Sequence, residues 1–246
     1  MRDVVAITTI RQGDPSNNVE RVRAEVFLDT AQALATLDIP CLAIFVDCEE
    51  EYLARLKTLD ITPVRQSTSG MGNIRREALR EGLRRFPTAP FYVWLEPEKP
   101  KLPVFVEDVI RLMQMTEANL GLFNRTSMDS YPDEQAHYYM FCRSVASALL
   151  GFDIDYAFGP MVLTRQAVQR FLDYSGEYGD KWESILIPRL RLLKEGDQIV
   201  QLSVDFRNDP RMTAVESGNP LMILKRIEQF NNVVPSLIAE WGRLKR

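Results

Sequence analysis

Glu96 and Glu98 flank Pro97 at the end of the apolar run FYVWL (Phe91–Leu95). Along an extended chain, residues two apart point to the same side, and the proline stiffens the link between them. Such a pair can hold a hard divalent cation that also bridges a diphosphate, or it can be a solvated acidic turn. A second segment, Ser67-Thr-Ser-Gly-Met-Gly-Asn-Ile-Arg75-Arg76, lacks the Gly-Lys-Ser/Thr ending of a P-loop and the GxGxxG of a dinucleotide fold. Gly70 and Gly72 would let backbone approach a ligand, a helix start there would favour an anion, and Arg75 or Arg76 would pair with phosphate. The same residues also suit a flexible turn leading into a solvated helix. A third set is the polar strand end Thr8-Thr9-Ile10-Arg11, with Asp47 directly after the next apolar run.

His137 is the only histidine, so a histidine-rich metal site is excluded; in DEQAHYYMF it reads as a surface or half-buried helical residue. Thirty basic against thirty-four acidic residues leave no cationic surplus for a nucleic-acid backbone. Cys41, Cys48 and Cys142 are odd in number and form no CxxC pair, which argues against a disulfide framework and for a reducing, cytoplasmic location. The apolar run Ile39–Val46 is far below the roughly 18 residues that span a bilayer, and the N-terminus is too weakly apolar for a signal peptide.

These residues need a frame that gathers them. Val4–Thr9, Ile39–Val46, Thr62–Arg65, Phe91–Leu95 and Leu120–Phe123 read as strands. The stretches between them carry apolar stripes at helical spacing: Val19 to Leu37, Glu49–Leu59, Ile74 to Leu83, and Phe105 to Met113. Strand–helix alternation predicts an α/β fold with a mostly parallel sheet and helices on both faces. Ligands of such a sheet bind beyond the carboxyl ends of its strands, where the segments above lie. In the second half, helices are expected from about Ser130 to Leu150, over Gln166–Tyr174 and over Trp182–Lys194, with strands at Tyr156–Leu163 and Gln198–Phe206. A final helix is expected to bend at Pro235. Tyr138, Tyr139 and Phe141 read as packing, and 214–229 as structural helix rather than a flap or docking face. One domain over residues 1–246 is expected.

The ordered series TTIR, Val46-Asp47, SGMGNIRREAL, WLEPEK, YAFGP (Tyr156–Pro160) and WESILIPRLRLLKEG resembles the GT-A-fold, nucleotide-sugar-dependent glycosyltransferases of the glucosyl- and mannosyl-phosphoglycerate synthase type. The resemblance implies a GT-A-like, Rossmann-like α/β domain with a nucleotide-binding half (1–125) and an acceptor and sugar half (126–246). It implies transfer of a sugar from a nucleoside diphosphate sugar to an unidentified acceptor. Thr8, Thr9, Arg11 and Asp47 would meet the nucleoside. Gly70, Gly72 and Arg75 would lie along the diphosphate and sugar, with Phe158 and Gly159 beside them. Glu96 and Glu98 stand where the family has its DxD motif for Mg2+ or Mn2+. The family's late metal-ligating histidine is missing from VDFRNDPRM, which offers Asp205, Asn208 and Asp209 as oxygen donors; Asp209 is the expected ligand. For an inverting transfer the implied base is Glu183, with Asp180 second, although Glu183 equally suits a helix-dipole carboxylate. The altered motif keeps two other readings open: a noncatalytic binder on the same scaffold, and a related nucleotidyltransferase.

Overall fold

The computed structural model describes residues 3–14, 16–194 and 198–244; Glu195 and Gly196, at the end of the last motif, lie outside them. Seven strands form one sheet: β1 (Val4–Arg11), β2 (Cys41–Val46), β3 (Ile61–Arg65), β4 (Phe91–Trp94), β5 (Leu120–Arg125), β6 (Met161–Thr164) and β7 (Ile199–Val204), in the order β3-β2-β1-β4-β6-β5-β7. The helices are α1 (Asn18–Thr36), α2 (Glu50–Thr58), α3 (Met71–Arg85), α4 (Val106–Thr116), α5 (Asp133–Leu150), α6 (Arg165–Leu172), α7 (Glu183–Lys194), α8 (Pro210–Glu216) and α9 (Pro220–Leu244). This is the mostly parallel α/β architecture expected, with one exception. β6 runs antiparallel to both neighbours, filling the place that the β4–α4–β5 crossover leaves open.

Each central strand is buried on both faces, which is why its sequence is a continuous apolar run and not an alternating one. Val4, Ala6 and Ile10 face one core, with Phe27 and Leu34 of α1, Leu53 of α2 and Val109 of α4. Val5 and Ile7 face the other, with Leu79 of α3, Phe171 of α6, Leu190 of α7 and Leu237 of α9. α9 runs on past the internal Pro235, and α8, absent from the sequence expectations, begins at a proline in its first turn after the N-cap Asp209. None of the described helices is long and apolar enough to cross a membrane.

The expected strand over Tyr156–Leu163 is shorter, because Tyr156–Pro160 is a loop. The buried Arg189 of α7 donates to the carbonyls of Tyr156, Phe158 and Gly159 at 2.8, 2.9 and 3.1 Å. A side chain thus takes the place of a strand partner, and the loop is pinned beside the carboxyl end of β4.

Candidate functional site

Two cavities lie at the carboxyl edge of β1, β2 and β4. The outer cleft, about 510 Å³, is bordered by Thr9, Arg11, Asp47, Gln66, Ile74 and Trp94. The inner cavity, about 150 Å³, reaches toward α5 and α9 and is bordered by Gln135, Tyr138, Tyr139, Trp182, Asn208 and Gln229, among others. Arg23, Met71, Arg75, Glu96, Glu98 and Lys225 border both, so the two spaces meet at those side chains.

In the outer cleft, strand alternation turns Thr9 toward the space and buries Thr8 on the opposite face with Ala6 and Ile10, which corrects the expectation for Thr8. Arg11 and Asp47 are paired at the mouth, with Nη2 to Oδ2 at 3.0 Å, and Asp47 takes a left-handed backbone (φ 50°) where the chain leaves β2. Arg75, on the first turns of α3, reaches the junction and donates to the Lys181 carbonyl and, at 3.0 Å, to Ser184 Oγ. Burial lowers its pKa to about 10, against the pull of Glu96, Glu183 and Asp180, so it remains a cation at neutral pH.

The glycines of the SGMGNIRR segment have different work from that expected. Gly70 caps α3 at φ 88° and borders neither cavity. Gly72 is where backbones approach closely, but the partner is protein. Its N–H donates to the Asp180 carbonyl at 2.8 Å, and a Cβ there would stand 2.0 Å from Asp180 Oδ1. The turn ahead of α3 is held by Glu77, whose carboxylate accepts from the backbone N–H and the hydroxyl of both Ser67 and Thr68.

Both candidate bases are engaged elsewhere. Asp180 accepts from Arg76 through both oxygens, and Arg76 is itself only 8% exposed. Glu183 is buried, accepts from the Lys181 N–H at 3.1 Å, and borders neither cavity, whereas Trp182, Ile185 and Leu186 around it do. Neither carboxylate presents itself as a proton acceptor toward the junction. In the YAFGP segment, Phe158 packs in the core against Phe206 and the Arg125 guanidinium, also against expectation. Gly159 does border the inner cavity, and a side chain there would collide with Glu96, at 2.5 Å from Oε1.

Glu96 and Glu98 come together at the junction, as expected, but with cations already on them. Lys99 Nζ lies 3.5 Å from Glu96 Oε2 and 3.7 Å from Glu98 Oε1, and Arg23 Nε lies 3.3 Å from Glu98 Oε2. Burial works to raise the Glu98 pKa; Arg23 and Lys99 outweigh it and hold the carboxyl at about 2. Arg23 continues to Glu216, 3.3 Å away, and Arg226 follows at 4.0 Å. Arg23 carries no local motif, and sequence reading missed it; its only signal was a cationic residue on an otherwise amphipathic helix. Lys225 and Arg226 lie in the 214–229 stretch, for which structural helix was expected ahead of a flap over a diphosphate. Residues 214–229 are helical as expected except at 217–219, where α8 ends and α9 has not begun, and Glu216, Lys225, Arg226 and Gln229 also wall the inner cavity. Tyr138 and Tyr139 both pack and line it, while His137 is exposed on α5.

No protein-family model matches this sequence, and no curated protein matches it. Solved structures do. Glucosyl-3-phosphoglycerate synthase from Mycobacterium tuberculosis, in complex with Mn2+, UDP and glucosyl-3-phosphoglycerate, superposes with a TM-score of 0.65 at 11% identity, over 98% of this chain and 80% of that one. The fold is that of the GT-A nucleotide-diphospho-sugar transferases. A Desulfovibrio desulfuricans G20 protein assigned as a nucleotide-diphospho-sugar transferase matches over 99% of this chain and 97% of that one, with a TM-score of 0.53 at 11% identity. A cytidylyltransferase from Leptospira borgpetersenii matches over 96% of each chain, with a TM-score of 0.53 at 10% identity.

The Mn2+ in the mycobacterial GT-A structure asks whether the residues here fit a divalent cation. As arranged, they do not. The carboxylate pair is bridged by the Lys99 ammonium. Asp209, the expected third ligand, is the N-cap of α8 and accepts from the backbone N–H and guanidinium of Arg211 at 2.8–2.9 Å. Asp205 pairs with Arg207. Among the described residues, no three His, Cys, Asp or Glu side chains converge as a metal-holding group.

Proposed function

We propose that this protein is a glycosyltransferase that takes a nucleoside diphosphate sugar as donor. The nucleoside lies in the outer cleft against Thr9, Arg11 and Asp47, the diphosphate lies at Arg75, and the acceptor enters the inner cavity. The observation that carries this reading is the meeting of the two cavities at Arg23, Arg75, Glu96 and Glu98. Donor and acceptor would face each other there, with cations directed at the phosphates. A relative of the same fold binds UDP and a glucosylated product, which supports treating this sheet edge as a sugar-nucleotide site. The three cysteines are free thiols, in keeping with a reducing cytoplasm.

No step of this reading runs through a divalent cation or through Asp180 or Glu183. Arg75 and its cationic neighbours stabilise the departing diphosphate, on which negative charge builds as the sugar–phosphate bond breaks, and the leaving phosphate oxygen takes the proton of the acceptor hydroxyl as the new glycosidic bond forms.

The test is a thermal-shift screen of nucleoside diphosphates and their sugar conjugates, followed by assay of nucleoside diphosphate release. The melting temperature should rise with a nucleoside diphosphate, and Asp47→Ala should reduce that rise without unfolding the chain. A second reading, a noncatalytic binder, is favoured by one observation: both candidate bases are held by the protein itself. Binding of sugar nucleotides with no release of diphosphate, across a panel of hydroxylated acceptors, would decide for it.

A further inference from the structure

The carboxylates of Glu96 and Glu98 are bridged by a cation that belongs to the chain. Lys99 is 2% exposed, and the rings of Tyr131 and Phe206 cover its ammonium, each with its centroid 5.9 Å away. The ammonium pairs with the two acids, at 3.5 Å from Glu96 and 3.7 Å from Glu98. A divalent cation of this class takes carboxylate oxygens at about 2.0–2.2 Å and needs several further oxygen donors around it. Here the space and the charge between the two acids are already taken. The far oxygen of Glu98 is held by Arg23, and among the described residues no three acids, histidines or cysteines form a group that could hold a metal.

We propose that this site binds the diphosphate of a nucleoside diphosphate without a divalent cation, with the Lys99 ammonium standing between Glu96 and Glu98 where a metal would otherwise be required. This rests on the donor-site reading above. Lys99 neutralises the floor of the site, so that the acids do not repel an incoming phosphate. Arg75 and Lys225, which border both cavities, supply the charge that meets the diphosphate. Five cationic side chains against three carboxylates border the inner cavity, so the surplus there is positive without any added ion. Pro97 and Pro100 on either side of Glu98-Lys99 restrict the backbone that aims the ammonium. Thr30 Oγ1 donates to the Pro97 carbonyl at 2.6 Å and ties the segment to α1.

Calorimetric titration of the full chain with UDP, GDP, ADP and CDP, once in EDTA and once in Mn2+, tests this. The expected result is that at least one nucleotide binds, with affinities in the two buffers agreeing within about threefold. A larger gain with Mn2+, or binding only in its presence, overturns the inference while leaving the donor site standing. Absence of binding by all four in both buffers overturns the donor-site reading and this inference with it. A second measurement is independent of nucleotide: Mn2+ titrated into the wild type and followed by electron paramagnetic resonance should show no bound ion. Lys99→Met, checked for an intact melting transition, should expose the two acids and gain a bound Mn2+ signal. A bound signal in the wild type overturns the proposal even if the variant fails to fold.

Discussion

Asp180 accepts hydrogen bonds from both terminal nitrogens of Arg76, Nη1 to Oδ1 and Nη2 to Oδ2, each at 2.7 Å. The pair ties the loop before α7 to the first turns of α3, and the Asp180 backbone carbonyl adds a third tie to Gly72. Removing the carboxylate leaves a mostly buried guanidinium without its anionic partner and with only Asn73 Oδ1, at 2.6 Å, still accepting from it. Asp180→Ala should therefore lower stability by about 1–3 kcal/mol in urea unfolding. Should the variant unfold like wild type and lose only turnover, Asp180 acts on substrate and not on Arg76.

Arg75 stands where the cavities meet and remains charged at neutral pH. A charge-assisted hydrogen bond to a diphosphate is worth roughly 1.5–3 kcal/mol, so Arg75→Ala should weaken nucleoside diphosphate binding by about 10- to 100-fold. Arg75 also donates to Ser184 Oγ, and a purely structural role has to be separated from binding. Ser184→Ala is the control, with some loss in melting temperature and unchanged affinity. Equal affinity losses in the two variants would point to the fold of this corner instead.

Lys225 gives the site a pH dependence. Burial lowers its pKa to about 8, helped by Arg23 and Arg226 and opposed by Glu216 and Glu98. Because the folded value lies below the ordinary 10.5, charged Lys225 is disfavoured by folding; the penalty is full below about pH 8 and fades as pH rises toward 10.5. A bound diphosphate reverses this by stabilising the ammonium. Nucleotide affinity should then fall as pH rises through about 8, with proton uptake on binding visible in buffers of different ionisation enthalpy. Lys225→Met should bind more weakly, with a flatter profile; a profile as steep as wild type would assign the titration to another group.

Glu98 should appear in acid unfolding. Its folded pKa, about 2, lies below the ordinary 4.5, so the stability it contributes is present above about 4.5 and is lost as pH falls through about 2. Glu98→Gln leaves Lys99 and Arg23 short of a partner, and should lower the unfolding free energy at neutral pH by roughly 3 kcal/mol. Near pH 2 the difference from wild type should shrink. A constant difference across the range would mean that packing, and not charge, is what Glu98 supplies.

The order of strands and helices was legible because burial of the sheet on both faces leaves continuous apolar runs, such as Val4–Ile10 and Cys41–Phe45, between amphipathic stretches. Apolar content also misled. Tyr156–Pro160 looks like the start of a strand, yet its carbonyls are taken by Arg189, some thirty residues further along the chain. The antiparallel direction of β6 was beyond reach, since a short apolar run carries no sign of which way it enters a sheet.

For the site, local patterning was enough to show which segments leave the carboxyl ends of β1, β2 and β4, and these carry Thr9, Arg11, Asp47, Arg75, Glu96 and Glu98 to one edge. What each charged group does there was decided by tertiary structure. Asp180 and Arg76 are 104 residues apart in the chain, and Glu98, in the turn after β4, lies opposite Arg23 on α1. A carboxylate's local spacing shows that a negative charge is present at an element's end. Whether that charge is free for a metal or a proton depends on which distant cation the fold packs against it. Electrostatic pairing acts over a few ångströms of space and is indifferent to separation along the chain.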